Sequence, residues 1–307
     1  FPFYQAFDAY NNLIREGNFN TDALISAAES LTVADMQAFM QALLSENQLR
    51  IFAFGNYDKA DLDNAVALVK GALPDDRTSV NYDMREFWLP QAEQTLVWQQ
   101  DLTVADVALI DVMVHPTPGF DTRAAGTVLR GHFRTVAFDK LRTEEQLAYA
   151  VGGMATSIGD YTGFAMFIQT PVKDVAAMQA RFDEFKTQYK VALDALTEEE
   201  FAKLKTSALV SLKEAPKNMR DEVVPFISDW YREKYDFDSE QKLIAAVEKV
   251  TLEDVKAFYQ QTMLNDSAAR ISVQLRGTSF VEQPFADIEG ATKVEDLAGF
   301  HESMKKQ

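Results

Sequence analysis

One segment of the sequence combines side chains that could bind a peptide main chain. Residues 137–151 read AFDKLRTEEQLAYAV, with Arg142 after a predicted helix and Tyr149 in a predicted strand. A guanidinium presents a planar fork of N–H donors that can hold a carbonyl or carboxylate group, and a phenol on a strand can donate to a second carbonyl. The alternative is structural: Arg142 would pair with Glu144 or Glu145, and Tyr149 would belong to the sheet. The residues alone leave both interpretations open.

The rest of the sequence offers few groups for catalysis or metal binding. There is no cysteine, and the three histidines are His115, His132 and His301. None of them stands in an HExxH or HxxEH pattern, the spacings that place metal ligands on one helix face. The GxSxG, P-loop and GxGxxG patterns are also absent, and the acidic runs at 197–200 and 236–238 are typical of helix starts. The sequence therefore predicts no catalytic and no metal-binding residue in this chain.

The elements that would position Arg142 are those of an α+β domain. Residues 121–140 predict a helix directly before Arg142, and apolar residues at steps of three and four predict another helix over 173–196. Helices fill most of the chain from there to residue 263. We therefore predict an antiparallel-rich sheet covered by helices on one face. The apolar and β-branched runs that predict strands are 95–100, 104–115, 149–158, 164–170 and 270–276.

The composition limits the class of protein. With 307 residues, 47% of them apolar, the chain can bury a core, and its length indicates about two domains. A formal net charge of −17 repels phosphate backbones and anionic lipid, and no apolar run reaches the roughly 18 residues of a membrane span. We therefore expect neither a nucleic-acid partner nor a membrane partner. The absence of cysteine fits an oxidising compartment such as the periplasm of a bacterium, more than the cytoplasm.

Part of the sequence occurs twice. Residues 24–41 and 243–260 share nine of eighteen positions when aligned without gaps, where unrelated sequences would share about one or two. Each copy has a Thr followed three residues later by an Asp, a capping box for a helix start. Each copy also precedes a strand-like run, at 50–54 and at 270–275. Chance similarity is the alternative; a true repeat implies that the chain holds the end of one domain and the whole of a second, related domain.

The segment around Arg142 also resembles a known family. Its pattern is similar to the corresponding stretch in the C-terminal half of the pitrilysin/insulysin family of zinc metallopeptidases, the inverted zincins, and especially of its bacterial pitrilysin branch. The likeness continues through KEAPKNM at 213–219 and YDFD at 235–238 and covers nearly the whole chain. One departure is Ala148, where the family usually has Gly before the Tyr. The matching residues are Phe138, Leu141, Arg142, Thr143, Glu145, Gln146, Leu147, Tyr149 and Val151.

The resemblance implies a peptidase LuxS/MPP-like metallohydrolase fold and a division into domains. Long members of the family consist of four related domains in two halves that enclose a peptide-digesting chamber. Residues 1–75 would be the C-terminal part of the third domain, 76–93 a linker, 94–277 the fourth domain and 278–307 a C-terminal tail. The start at Phe1, without a Met or a leader pattern, is expected for a piece of a longer polypeptide.

The same resemblance implies a function and a site. The parent protein would be a zinc metalloendopeptidase, a hydrolase that degrades peptides, with its zinc held by an HxxEH motif in the N-terminal half. This chain would hold no cofactor, would close the chamber and would be inactive alone, with the N-terminal half and a peptide substrate as its partners. Arg142 and Tyr149 would bind the substrate main chain, and Tyr149 would support the oxyanion of the transition state. The alternative is a non-catalytic peptide-binding or assembly subunit of the same fold.

Overall fold

A computed structural model describes residues 1–15, 18–80, 91–148 and 150–304. Contacts between residues divide the chain into two compact units, each assembled from segments that are distant in sequence. Unit 1 comprises residues 1–18, 86–214 and 240–307, and unit 2 comprises residues 19–85 and 215–239. Arg142 and the segment around it belong to unit 1.

The described residues form six strands and eleven α-helices. The strands are β1 (Thr95–Asp101), β2 (Val107–Val114), β3 (Ala150–Ile158), β4 (Tyr161–Thr170), β5 (Ala269–Arg276) and β6 (Thr292–Val294). The helices are α1 (Pro2–Ile14), α2 (Thr21–Ser30), α3 (Val33–Ser45), α4 (Lys59–Gly71), α5 (Phe120–Ala137), α6 (Val175–Asp194), α7 (Glu198–Leu212), α8 (Met219–Tyr231), α9 (Ser239–Lys249), α10 (Leu252–Met263) and α11 (Leu297–Met304). A π-helix spans Phe138–Glu144 and a short 3-10 helix spans Thr278–Phe280. As far as the chain is described, no helix has the length and apolar character that crossing a membrane requires.

All six strands join in one sheet of unit 1, in the order β3-β4-β2-β5-β1-β6. β4 pairs antiparallel with β3 and with β2, and β2 pairs antiparallel with β5. β1 runs parallel to both of its neighbours, β5 and β6. The two-residue turn at 159–160 joins β3 and β4 into a hairpin, and β3 lies at one edge of the sheet.

Helices cover both faces of this sheet. α5, α6, α7 and α10 pack on one face, around the buried rings of Phe133 and Phe164. α1 packs on the opposite face, where Tyr10 and Leu13 lie in one buried cluster with side chains of β2 and β5. The predicted α+β class is confirmed. The predicted helical layer is present on one face, and α1 adds a cover on the other because its apolar side faces the sheet.

A buried group of charges links α6 to the sheet. Asp111 on β2 is 1% exposed, and its carboxylate accepts hydrogen bonds from the guanidinium of Arg270 on β5 at 2.7 and 2.9 Å. The ammonium of Lys186 on α6 lies 3.3 Å from the same carboxylate and 2.7 Å from Asp183. Burial alone would raise the pKa of Asp111, but the two cations and their hydrogen bonds outweigh burial and lower this pKa to about 2. Paired charges therefore help to fix α6 on the sheet.

Unit 2 contains α2, α3, α4 and α8. Five aromatic rings lie near one another in it, with ring centres 5.7 to 6.2 Å apart: Phe52, Phe54, Phe226, Trp230 and Phe237. The run 50–54, which was predicted to be a strand, has irregular structure. The reason is that the described part of unit 2 offers no strand with which this run could pair. Its composition is strand-like, but a strand needs a neighbour.

The two units defined by contacts divide the chain at other residues than the predicted domains do. The prediction places 1–75 in one domain and 94–277 in another, whereas the contacts group α1 with unit 1 and α8 with unit 2. Domains defined by a family and units defined by contacts are different divisions. The predicted division, including the linker at 76–93 and the tail at 278–307, therefore stays a prediction. Residues 81–90 of that linker lie outside the described residues.

Candidate substrate-binding site

Arg142 lies near the end of a long helical segment. α5 continues directly into the π-helix Phe138–Glu144, a rare geometry that is frequent at functional sites. The Arg142 guanidinium lies over the ring of Phe138, 4.7 Å from the ring centre, which is a favourable cation–π contact. The Arg142 side chain is exposed, and among the described residues no ion pair or hydrogen bond engages its guanidinium. Its N–H donors are therefore accessible to a ligand.

The two glutamates beside Arg142 have other partners. Glu144 accepts a hydrogen bond from Lys140 Nζ at 2.8 Å. Glu145 accepts two hydrogen bonds from the guanidinium of Arg181 on α6, at 2.6 and 2.8 Å, and these bonds lower the pKa of the Glu145 carboxyl. The structural alternative, in which Arg142 pairs with Glu144 or Glu145, is therefore not the arrangement of this structure. The bidentate pair instead ties the end of the π-helix to α6.

Buried groups hold the main chain between Arg142 and β3. Leu141 and Leu147 are buried, and the Leu147 amide donates to the Leu141 carbonyl at 3.0 Å. The Thr170 hydroxyl donates to the Leu147 carbonyl at 2.6 Å. Gln146 has a φ of 53°, a left-handed conformation that is uncommon for a residue with a side chain. Conformations of this kind concentrate where a fold holds functional groups in place.

Tyr149, the second predicted substrate-binding residue, lies outside the described residues. Its neighbours in sequence are described: Ala148 is buried, and Ala150 begins β3. Arg142 thus lies exposed near the end of a helical segment that buried groups hold in place. β3, the edge strand, begins shortly after this segment. The joint action of Arg142 and Tyr149 stays a prediction.

Arg181 was not predicted from the sequence as a residue of this site. Arg181 is only 8% exposed, although it is a charged residue on a helix surface. Its position beside the buried Phe182 in the predicted helix 173–196 was the available signal, because a cation next to an apolar stripe needs a partner. The identity of that partner, Glu145, could not be read from the sequence, since the two residues are 36 positions apart.

No group of three or more His, Asp or Glu side chains that could hold a metal ion occurs within the described ranges. His132 Nδ1 forms a hydrogen bond with the hydroxyl of the buried Tyr189 at 2.8 Å, and burial lowers the pKa of His132. His115 stacks on Phe258 and hydrogen-bonds to the Gln261 side chain at 3.0 Å. The two imidazoles are thus engaged separately in packing, and they do not fit a zinc site.

Comparison with known proteins shows which proteins this chain resembles. The family described as PQQ synthase PqqF-like, C-terminal lobe domain 4, matches residues 128–227, which include Arg142 and Arg181. Protease 3 of Escherichia coli is 25% identical to this chain over 291 residues, which cover 93% of this chain and 30% of Protease 3. The chain therefore spans less than a third of the length of this curated relative.

Two solved structures show the same fold. A crystal structure of pitrilysin covers 98% of this chain with a TM-score of 0.83 and 22% identity, using 32% of the pitrilysin chain. A peptidase M16 inactive domain from Pseudomonas fluorescens covers 96% of this chain and 67% of its own, with a TM-score of 0.57 and 16% identity. The predicted resemblance is confirmed. The chain is similar in sequence to Protease 3 and similar in fold to pitrilysin, and residues 128–227 match a family described as a C-terminal lobe domain.

Proposed function

We propose that this chain is the substrate-binding C-terminal half of a zinc metalloendopeptidase, and that it closes the chamber in which peptides are degraded. The observation that carries this proposal is Arg142, an exposed guanidinium held on a π-helix while the neighbouring carboxylates bind other cations. Peptidase relatives, and an M16 domain described as inactive, support a hydrolase parent and a non-catalytic role for this part.

In the whole enzyme the two predicted residues act on the substrate main chain. Arg142 donates hydrogen bonds to a carbonyl group beside the scissile bond and so orients it. Tyr149 donates its phenol hydrogen to the oxygen that becomes the oxyanion, where one donor contributes about 3 kcal/mol to the transition state. An HxxEH motif of the N-terminal half would hold the zinc ion, which would supply the activation of water.

The N-terminal half of the same protein is the second partner in this proposal. α2 and α3 expose large apolar side chains, among them Leu24, Met36 and Phe39, and proteins in water seldom leave such faces uncovered. In the whole protein, another part of the polypeptide covers them. The absence of cysteine supports the periplasm as the compartment.

Substitutions in the whole enzyme test the site. Arg142→Ala and Tyr149→Phe should each lower kcat/KM for a peptide substrate by about 100-fold, because each removes a donor that acts in the transition state. The melting temperature should change little, since Arg142 is exposed. Arg134→Ala, which removes an exposed arginine of α5, is the matched control and should retain normal kcat/KM. Full activity of both variants would show that the assignment of Arg142 and Tyr149 to the substrate-binding site is wrong.

The isolated chain tests the division of roles. With added Zn²⁺ it should cleave no peptide, because His115 and His132 are engaged separately in packing. Cleavage that stays with the chain through repeated purification would contradict the proposal. The sequence of the whole protein tests the remaining alternative: an HxxEH motif N-terminal to this chain indicates a peptidase, and its absence indicates a non-catalytic peptide-binding or assembly subunit.

A further inference from the structure

An open cavity lies in unit 1 between α6 and the helical segment that carries Arg142. Its volume is about 420 Å³, which is within the range of sites that bind small molecules. The end of α5 and the π-helix form one wall, and α6 forms the other. The first wall contains Val136, Asp139, Lys140 and Glu144, and the second contains the buried rings of Phe185 and Tyr189.

This cavity is separate from the candidate substrate-binding site. Phe138 and Arg142 belong to the same π-helix and contact each other, but neither lines the cavity. The residues of the first wall follow one another at steps of three, one and four positions, which places them on one side of the helical segment. A ligand in the cavity would therefore leave the N–H donors of Arg142 accessible.

Most polar groups of the cavity already have partners. Lys140 donates to Glu144 at 2.8 Å, so that these two charges cancel. The hydroxyl of Tyr189 forms a hydrogen bond with His132 at 2.8 Å. Asp139 differs: its side chain is exposed, and no hydrogen bond or ion pair engages its carboxylate among the described residues. The cavity therefore offers a ligand one negative charge beside an apolar wall.

The surroundings of Asp139 also favour a cation. The helical segment that starts at Phe120 ends at Glu144, so the cavity lies near its C-terminal end, where the helix dipole is negative. The net charge of −17 attracts cations to the chain as a whole. A ligand with an apolar body gains contact with Val136 and the two aromatic rings. A cation with a hydrocarbon body satisfies both requirements.

We propose that this cavity binds a small primary amine, whose ammonium group pairs with the carboxylate of Asp139 while its hydrocarbon body lies against Phe185 and Tyr189. The inference does not depend on the proposed function. A lysine side chain of a peptide carries the same ammonium group. We assign the site to a free amine because the cavity is separate from Arg142, to which the proposed function assigns the peptide main chain.

The first test compares ligands of the same shape and opposite charge. The probe is 2-phenylethylamine, titrated with the full chain and followed by saturation-transfer difference NMR. It should bind with a Kd of about 1 mM. The matched anion, 3-phenylpropionate, should bind at least tenfold more weakly, because its carboxylate is repelled by Asp139. Equal binding of the two compounds, or no binding of the amine at about 10 mM, would overturn the inference.

The second test locates the bound amine with two variants that change the charge equally. Asp139→Asn should weaken binding of 2-phenylethylamine about tenfold. It should fold normally, since its exposed carboxylate has no partner among the described residues. Asp121→Asn removes an exposed carboxylate at the other end of α5 and should bind the amine within about twofold of the normal chain. Normal binding by Asp139→Asn, or an equal loss in both variants, would overturn the inference.

A competition experiment distinguishes the two sources of the ammonium group. The competitor is an end-blocked peptide of sequence Ala-Ala-Lys-Ala-Ala, added to the complex of the chain with 2-phenylethylamine. Its affinity should be at least tenfold lower than that of the amine, because a flexible side chain without a ring covers less of the apolar wall and loses more freedom. Displacement as efficient as that by the amine itself would overturn the choice of a free amine as the ligand.

Discussion

Two pairs of helices in this chain have related sequences and different surroundings. α2 and α3 of unit 2 contain the repeated segment 24–41, and α9 and α10 of unit 1 contain its partner, 243–260. α3 and α10 start in the same capping box, with the Thr hydroxyl accepting from the Asp amide at 3.2 Å in both. The local geometry of the two helix starts is thus the same.

Burial separates the two copies. Leu24 and Phe39 are 54% and 60% exposed, whereas the matching Leu243 and Phe258 are 8% and 3% exposed. α10 packs against α5 and the sheet of unit 1, while the described part of unit 2 contains no sheet that could cover α3. Local signals therefore decide where a helix forms and starts. A surface contributed from elsewhere in the polypeptide decides whether its apolar face is buried.

Truncation of the two matching phenylalanines should produce the largest difference between the copies. Phe258→Ala removes a ring that packs against Gly126 and stacks on His115, and it should lower the free energy of unfolding of unit 1 by about 3–5 kcal/mol. Phe39→Ala removes a mostly exposed ring and should change the stability of unit 2 by less than about 0.5 kcal/mol. Amide hydrogen exchange, followed peptide by peptide, measures the two units separately.

The effect of Phe39→Ala on the stability of α3 should also be measured in the whole protein. If another part of the polypeptide covers α3, the loss there should approach that of Phe258→Ala. An effect that stays small in the whole protein would contradict the proposed cover. Equal and small effects of both substitutions in the isolated chain would contradict the difference in burial itself.

Acid should also distinguish the two units, because their ion pairs differ in burial. Asp111 of unit 1 is buried with its pKa lowered to about 2, whereas the Arg50–Glu233 pair of unit 2 is partly exposed. A carboxyl whose pKa is lower in the folded than in the unfolded protein stabilises the fold above its unfolded pKa, here 3.8. This contribution, about 2 kcal/mol, should be lost as the pH falls from about 4 to 2.

The measurement is urea unfolding of the normal chain and of Asp111→Asn at several pH values. The amide cannot titrate, so the stability difference between the two proteins should shrink by about 2 kcal/mol between pH 5 and pH 2. Glu233→Gln in unit 2 is the matched control, and its difference from the normal chain should stay within about 0.5 kcal/mol at every pH. A pH-independent difference for Asp111→Asn would contradict the assigned cause of its pKa.

The sequence predicts most of the local structure around the site. The helix predicted over 173–196 is α6 (Val175–Asp194), and the strand predicted over 149–158 is β3. Both follow from periodicity and from turn residues, which act over a few positions. The predicted Thr–Asp capping boxes are confirmed for the same reason.

Features that depend on distant partners were not predicted. The runs 50–54 and 270–275 have similar composition, yet only the second is a strand, because only β5 has neighbours. The π-helix at Phe138–Glu144 and the hydrogen bonds from Arg181 to Glu145 arise where α6 meets the end of α5. The residue type indicated that Arg142 could bind a peptide main chain. That Glu144 and Glu145 pair with other cations and not with Arg142 is a result of how the side chains pack here.

Removal of the two capping threonines should have the smallest and most equal effect. Thr32→Ala and Thr251→Ala each remove a hydroxyl that accepts from the Asp amide at 3.2 Å and donates to the Asp carboxylate at 2.6 Å. Because a cap acts locally, each substitution should lower helix stability by about 1 kcal/mol, although one helix is buried and the other is exposed. Thr→Ser variants at the same positions keep the hydroxyl and should retain most of this stability, as read from hydrogen exchange in α3 and α10. A loss at Thr251 several times that at Thr32 would mean that packing amplifies the cap, and that the two copies differ already at the helix start.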